Sequence, residues 1–374
     1  MTIQGKNRTL PPFRAELVGS FLRPEAIKTA RQAFTQGLIS KNELRDIENR
    51  EILKLVAKQK EVGLSFITDG EYRRAYWHLD FLEGLDGITK TETKYDLQFH
   101  EVKIKNECVY ISGEVDFTNH PMLEDFTFLY EISNDHISKF TIPSPNVLYH
   151  LGAKVSELYK EKPVYKSDEE LRRAIANTYK KAIKAFYDRG CRYLQFDDTI
   201  WGRFCDIKFQ QDCKEKAIDT EQLYREYVEL INESISEKPD DLFIGLHVCR
   251  GNFQSSWFSS GGYEPVAKVL FGEAKVDAFF LEYDNDRSGD FAPLRYIKDQ
   301  FVVLGLITTK FAELEDKEAV IKRIEEASQY VNIDQLCLSP QCGFSSTEEG
   351  NKITEEDQWN KVKLVLDIAN SVWK

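Results

Sequence analysis

The chain has 374 residues, 42% of them hydrophobic, with a net charge of −12 and seven cysteines. This acidic balance argues against a protein that binds nucleic acid through basic patches, and without a run of about 18 apolar residues no helical membrane span is expected. The opening MTIQGKNRTLPPFRAEL has no apolar stretch of the signal-peptide kind, so a cytoplasmic location is expected. An odd number of irregularly spaced cysteines reads there as free thiols or metal ligands, not as a disulfide framework.

In chain order, a short β-rich run recurs, each ending in a polar or charged residue and followed by a helical pattern. The first two runs are 14–19 (RAELVG) and 64–69 (LSFITD). Between them Ser40-Lys41-Asn42-Glu43 forms a capping box for a helix that closes near Gly63. Residues 72–137 then break the rhythm. Their alternating FHEVKIKNECVYISGEVDF, around Lys105-Asn106-Glu107, predicts a β-hairpin inside a long insertion between the second and third strands. Such an insertion either closes as a lid over a site or decorates the fold.

The third and fourth runs are 138–142 (SKFTI) and 192–197 (RYLQFD). Between them Ser167-Asp168-Glu169-Glu170 opens a helix with Leu171, Ile175, Thr178, Ala182 and Phe186 on one face and Gly190 past its end. Runs five to eight are 242–248 (LFIGLHV), 277–282 (DAFFLE), 301–307 (FVVLGLI) and 334–339 (DQLCLS), with further helices predicted at 220–236, 315–330 and 355–373. Near-continuous hydrophobicity in most runs suits parallel strands covered on both faces. Eight strands alternating with helices predict an α/β fold, a (β/α)₈ TIM barrel, with residues 1–374 as one unit.

Active sites of this fold form where the strands end at their C-terminal side. Those ends carry Gly19-Ser20, Asp69-Gly70-Glu71, Asp197-Asp198, His247-Val248-Cys249, Glu282, Lys310 and Cys342. Residues two apart on a strand point to the same face, so His247 and Cys249 can share one ion. Glu282 lies 33 residues beyond Cys249, about one βα unit, and Cys342 lies 60 beyond Glu282, two units on. Barrel closure brings Cys342 back towards the pair. Imidazole and thiolate are ligands that zinc prefers, and a carboxylate can complete its shell. Alone, a strand-end histidine is usually a surface hydrogen-bonding group and a buried cysteine an inert hydrophobe. Together on one rim they predict a Zn²⁺ site of His247, Cys249, Glu282 and Cys342.

VGSFLRP (18–24), ITDGEYRR (67–74), QFDD (195–198), HVCRGN (247–252), FFLEYDN (279–285) and SPQCGFSS (339–346) resemble the signatures of cobalamin-independent methionine synthase, and of its single-barrel bacterial members in particular. The resemblance runs from about residue 13 to the end. It implies zinc at the four residues above and homocysteine held around Val18, Gly19 and Ser20, with Glu71 and Asp197 taking the ammonium group. A cationic amine independently calls for paired carboxylates, and Asp198 lies beside them. It further implies 5-methyltetrahydrofolate as methyl donor, with Tyr149 stacking on its ring.

Three departures qualify these implications. The two-barrel synthases carry a further N-terminal barrel that helps hold the folate tail, and this sequence has one barrel. Lys310 falls where the family has a proton-donating histidine, and is the candidate acid. Arg203 falls where the family has a glutamate, and suits a carboxylate or sulfonate better than an amine. Two alternatives stay open: a zinc alkyltransferase using another thiol or a corrinoid donor, and a zinc-binding barrel without catalysis.

Overall fold

The computed structural model describes residues 4–92, 98–99, 102–103 and 107–374. Eleven strands are named among them: β1 (Phe66–Ile67), β2 (Asp86–Glu92), β3 (Gln98–Phe99), β4 (Val102–Lys103), β5 (Glu107–Asp116), β6 (Ile137–Pro143), β7 (Tyr193–Asp198), β8 (Phe243–Val248), β9 (Ala278–Glu282), β10 (Phe301–Ile307) and β11 (Leu336–Pro340). Seven of these form one sheet in the order β1-β6-β7-β8-β9-β10-β11, parallel throughout. Every residue of β7, β9 and β11 is buried, as their unbroken apolar character requires. The sheet curls into the predicted TIM barrel, and seven of the eight sequence runs fall on its strands.

The eighth position is filled differently from expectation. Residues 14–19 form no strand and make a single parallel bridge, Ala15 to Leu338 on β11. On that side Glu16 N donates to Leu338 O at 2.8 Å and Leu338 N to Arg14 O at 2.9 Å. Beyond it, side chains take over from the ladder. Lys139 Nζ donates to Leu17 O, Gln195 Nε2 to Val18 O and Thr68 Oγ1 to Gly19 O. The segment is thus pinned from the barrel interior, where buried Lys139 also pairs with buried Glu16 at 3.1 Å. Its carbonyls find partners without a neighbouring strand, and this meets the requirement that buried backbone groups be bonded.

The helices follow their end signals. Lys41–Val62 opens on the complete Ser40–Glu43 capping box and closes on Gly63 at φ 91°. Asp168–Asp188 has half of one: Ser167 accepts from Glu170 N, while the Glu170 carboxylate accepts from Lys166 N. Its buried face contains the five predicted residues. Helices Thr220–Ser234, Lys317–Ala327 and Glu355–Val372 lie within their predicted ranges.

The insertion contains antiparallel pairing, with a partner the sequence did not indicate. β5 pairs with β2, Glu107 opposite Glu92 and Val109 opposite Lys90, while β4 pairs with β3. The predicted turn residues Lys105 and Asn106 lie outside the described residues. No helix among the described residues is long and apolar enough to cross a membrane.

Candidate metal and substrate site

Strand register assembles the centre. His247 lies opposite Asp197 on β7, and its Nδ1 stands 2.9 Å from Asp197 Oδ1. Gln195 Nε2 donates to the same carboxylate oxygen at 2.7 Å. Asp197 thus holds one ring nitrogen, while Nε2 stands 3.2 Å from the Gln341 carbonyl oxygen and 3.7 Å from Cys342 Sγ. Cys249 follows the end of β8 and Cys342 follows β11. The ligand atoms of His247, Cys249 and Cys342 all lie within 4.8 Å of one another, and all three residues are buried.

The electrostatics suit a cation. The Cys342 hydrogen bond and the nearby imidazole pull the Cys249 thiol well below its ordinary range, although burial opposes this. Burial and the Cys249 charge push Cys342 up. Burial works against a charged His247, but Cys249 and Asp197 outweigh it and favour the imidazolium. A bound cation would supply positive charge that the cluster otherwise draws from protons.

Glu282 ends β9 and has no exposed surface. Its carboxylate is not one of the three clustered groups. Oε2 accepts from Arg250 N at 2.9 Å, and Oε1 accepts from Arg287 Nε at 3.1 Å. Burial raises its carboxyl pKa, but Lys310, Arg287 and Arg250 together hold it down to about 2. Lys310 is buried, with Nζ 3.9 Å from Asp284 Oδ2 and no hydrogen bond.

A cavity of about 1080 Å³ opens over the thiols, at or above the roughly 300–1,000 Å³ usual for small-molecule sites. Val18, Ser20, Glu71, Asp197, Asp198 and Arg203 line it, as do His247, Cys249 and Cys342. Gly19, Tyr149 and Lys310 do not belong to its wall. Tyr149 is fully buried, and its hydroxyl donates to Asp168. Gly19 backs the site instead: at φ 152°, a Cβ there would meet Thr141 at 2.9 Å and Glu71 Oε1 at 3.4 Å. The insertion supplies part of the wall through Tyr76, Trp77, Phe99 and Glu107, with the Phe99 ring 5.6 Å from Phe253 and 5.5 Å from Phe258.

Glu71 and Asp198 differ in what they leave free. Both Asp198 oxygens are engaged, Oδ2 by Ser144 and Asn146 and Oδ1 by Ile200 N. Glu71 Oε1 accepts from Thr141, whereas Oε2 has no hydrogen bond and stands 3.8 Å from the Arg74 guanidinium. Burial, opposed by Arg74 and aided by Asp197, pushes the Glu71 carboxyl up to about 7. Its backbone sits at φ 59°, a left-handed conformation that costs a non-glycine residue roughly 1–3 kcal/mol. A left-handed backbone and a carboxylate oxygen without a hydrogen bond thus coincide at this cavity residue. Sequence reasoning missed Gln195, which ties Val18 to Asp197, and Arg287, which holds Glu282. Gln195 lies within the QFDD motif, whereas Arg287 falls just beyond FFLEYDN.

Residues 13–369 match the family model described as the catalytic domain of cobalamin-independent synthase. The chain belongs to that family. A Bacillus subtilis (strain 168) family relative, the uncharacterised protein YxjG, is 51% identical over 98% of this chain and 96% of its own length. A methionine synthase from Sulfolobus acidocaldarius is 24% identical over 96% of this chain and 93% of its own. Among solved structures, a candidate vitamin-B12-independent methionine synthase from Listeria monocytogenes superposes with a TM-score of 0.77 at 46% identity, covering 98% of this chain and 99% of that one. A B12-independent methionine synthase from Shewanella sp. W3-18-1, solved with selenomethionine, shares the fold at 17% identity, with a TM-score of 0.71 and 96% and 97% coverage.

Proposed function

We propose that this chain is a zinc-dependent methyltransferase that converts homocysteine to methionine, with 5-methyltetrahydrofolate as donor. The observation that carries the reading is the buried His247–Cys249–Cys342 cluster beneath the cavity. Two thiols and an imidazole fit zinc, and the electrostatic preference for an anionic Cys249 fits a cation. Glu282 would complete the set by exchanging its Arg287 contact for the metal. Zinc bound there would make a substrate thiol available as thiolate at neutral pH.

The chain's own residues do the rest. Asp197, held by Gln195, fixes the His247 ring so that Nε2 is the atom presented to the metal. Glu71 Oε2 and the open side of Asp197 receive the substrate ammonium, and the pinned segment at Val18–Ser20 positions the amino acid. An ammonium beside Glu71 draws its carboxyl back towards the charged form. Lys310 stands behind the cavity wall, so in this reading it acts as counter-cation to Glu282 and Asp284. The chain 1–374 works as one unit, with 72–137 covering the ligand through its wall residues.

The test is zinc analysis of the purified protein followed by methionine formation from homocysteine, with donors supplied one at a time. About one zinc per chain, lost in Cys249→Ser, and turnover with methyltetrahydrofolate support the reading. A zinc-free wild type overturns the metal centre, and turnover with methylcobalamin alone overturns the donor.

A further inference from the structure

We propose that His150 and Arg203 form a carboxylate-binding subsite in the wall of the same cavity. The inference rests on the methyltransferase reading and deepens it. His150 follows the short helix Pro145–Tyr149 that caps the end of β6, and Arg203 lies in the helix Ile200–Phe204 that follows β7. Neighbouring strands thus deliver both to one rim, and both line the cavity.

Each has unused hydrogen-bonding capacity. Among the described residues, no hydrogen bond or ion pair engages the exposed Arg203 guanidinium, although 62 acidic residues make such pairs common elsewhere on the chain. His150 is only 8% exposed, and its Nδ1 stands 2.8 Å from the Tyr227 hydroxyl. When that hydroxyl donates, the ring proton is placed on Nε2, and Nε2 has no partner. A buried N–H without an acceptor is costly, and the positive charge of Arg203 is close enough to disfavour a second proton on the ring, reinforcing burial. In that tautomer a neutral N–H and a free guanidinium share one cavity wall, two donors without an anion. Two carboxylates of the same wall are taken up elsewhere: Asp198 is saturated by Ser144, Asn146 and Ile200 N, and Asp206 caps its own helix and accepts from Ser260 N.

Two sources can supply the carboxylate: the amino-acid thiol, or the glutamate tail of the donor. The test is calorimetric binding to the zinc-loaded full-length protein, comparing wild type with Arg203→Gln and Arg203→Lys at unchanged metal content. Probes are homocysteine, its decarboxylated analogue 3-aminopropanethiol, and methyltetrahydrofolate with one or three glutamates. Arg203 is exposed, so its variants should fold. Arg203→Gln should lose on the order of tenfold in affinity for the probe whose carboxylate is held, with Arg203→Lys recovering part of it. Loss confined to homocysteine over 3-aminopropanethiol assigns the amino-acid carboxylate. Loss confined to the folates, larger with three glutamates, assigns the tail. Equal affinities in wild type and Arg203→Gln for every probe overturn the subsite and leave the methyltransferase reading standing. A wild type that binds neither thiol nor folate overturns both.

Discussion

At the scale of single residues, the site divides into groups with spare bonding capacity and groups already satisfied. Glu71 and Asp198 are both buried acids, at the ends of β1 and β7 on either side of β6, yet only Glu71 keeps an oxygen without a hydrogen bond. Because burial lifts the Glu71 carboxyl to about 7, the folded ligand-free protein holds more protons than the unfolded chain between about pH 4.5 and 7. Stability must therefore fall as pH rises through that window. Glu71→Gln should remove that slope, gaining on the order of 1–3 kcal/mol at pH 7.5 in urea unfolding while weakening homocysteine binding. A variant with the wild-type slope would show that Glu71 does not titrate there. The sequence made His247, Cys249 and Cys342 legible because strand-end spacing fixes their position. It did not reveal that Tyr149 turns away to Asp168, or that Lys310 sits behind the wall, because both depend on side-chain packing that spacing does not encode.

At the scale of elements, the barrel was read correctly wherever apolar runs were long and flanked by helix signals. The first segment was the exception. RAELVG carries a strand-like pattern, but Lys139, Gln195 and Thr68 satisfy its carbonyls, and long-range side-chain bonds leave no trace in local periodicity. Replacing Lys139 by Met strands the Glu16 carboxylate in the interior. A loss of about 3–5 kcal/mol in unfolding free energy is expected, and a loss below 1 kcal/mol would show that the pair does not hold the segment. The pairing of β2 with β5 is not legible in the sequence, because partners separated by a long stretch of chain leave no local turn signal. Close approach matters as well: a Cβ at Gly202 would fall 1.9 Å from Cys249 O. Gly202→Ala should push the helix Ile200–Phe204 off the β8 end and lower zinc affinity at least several-fold in a chelator competition. Unchanged affinity would mean that the Cys249 main chain does not set the ligand position.

At the scale of the molecule, the barrel gathers the His247, Cys249 and Cys342 cluster from β8 and β11, the Glu71 and Asp197 carboxylates from the ends of β1 and β7, and part of the cavity wall from the insertion. Family membership fixes the architecture, while the proposed chemistry requires a substrate sulfur to join the metal beside the two protein thiols. X-ray absorption at the zinc edge, recorded with and without homocysteine, measures this directly. The expected result is a coordination shell with two sulfurs, from Cys249 and Cys342, that gains a third when homocysteine is added. A shell whose sulfur count stays at two with homocysteine bound would contradict thiol activation at this centre.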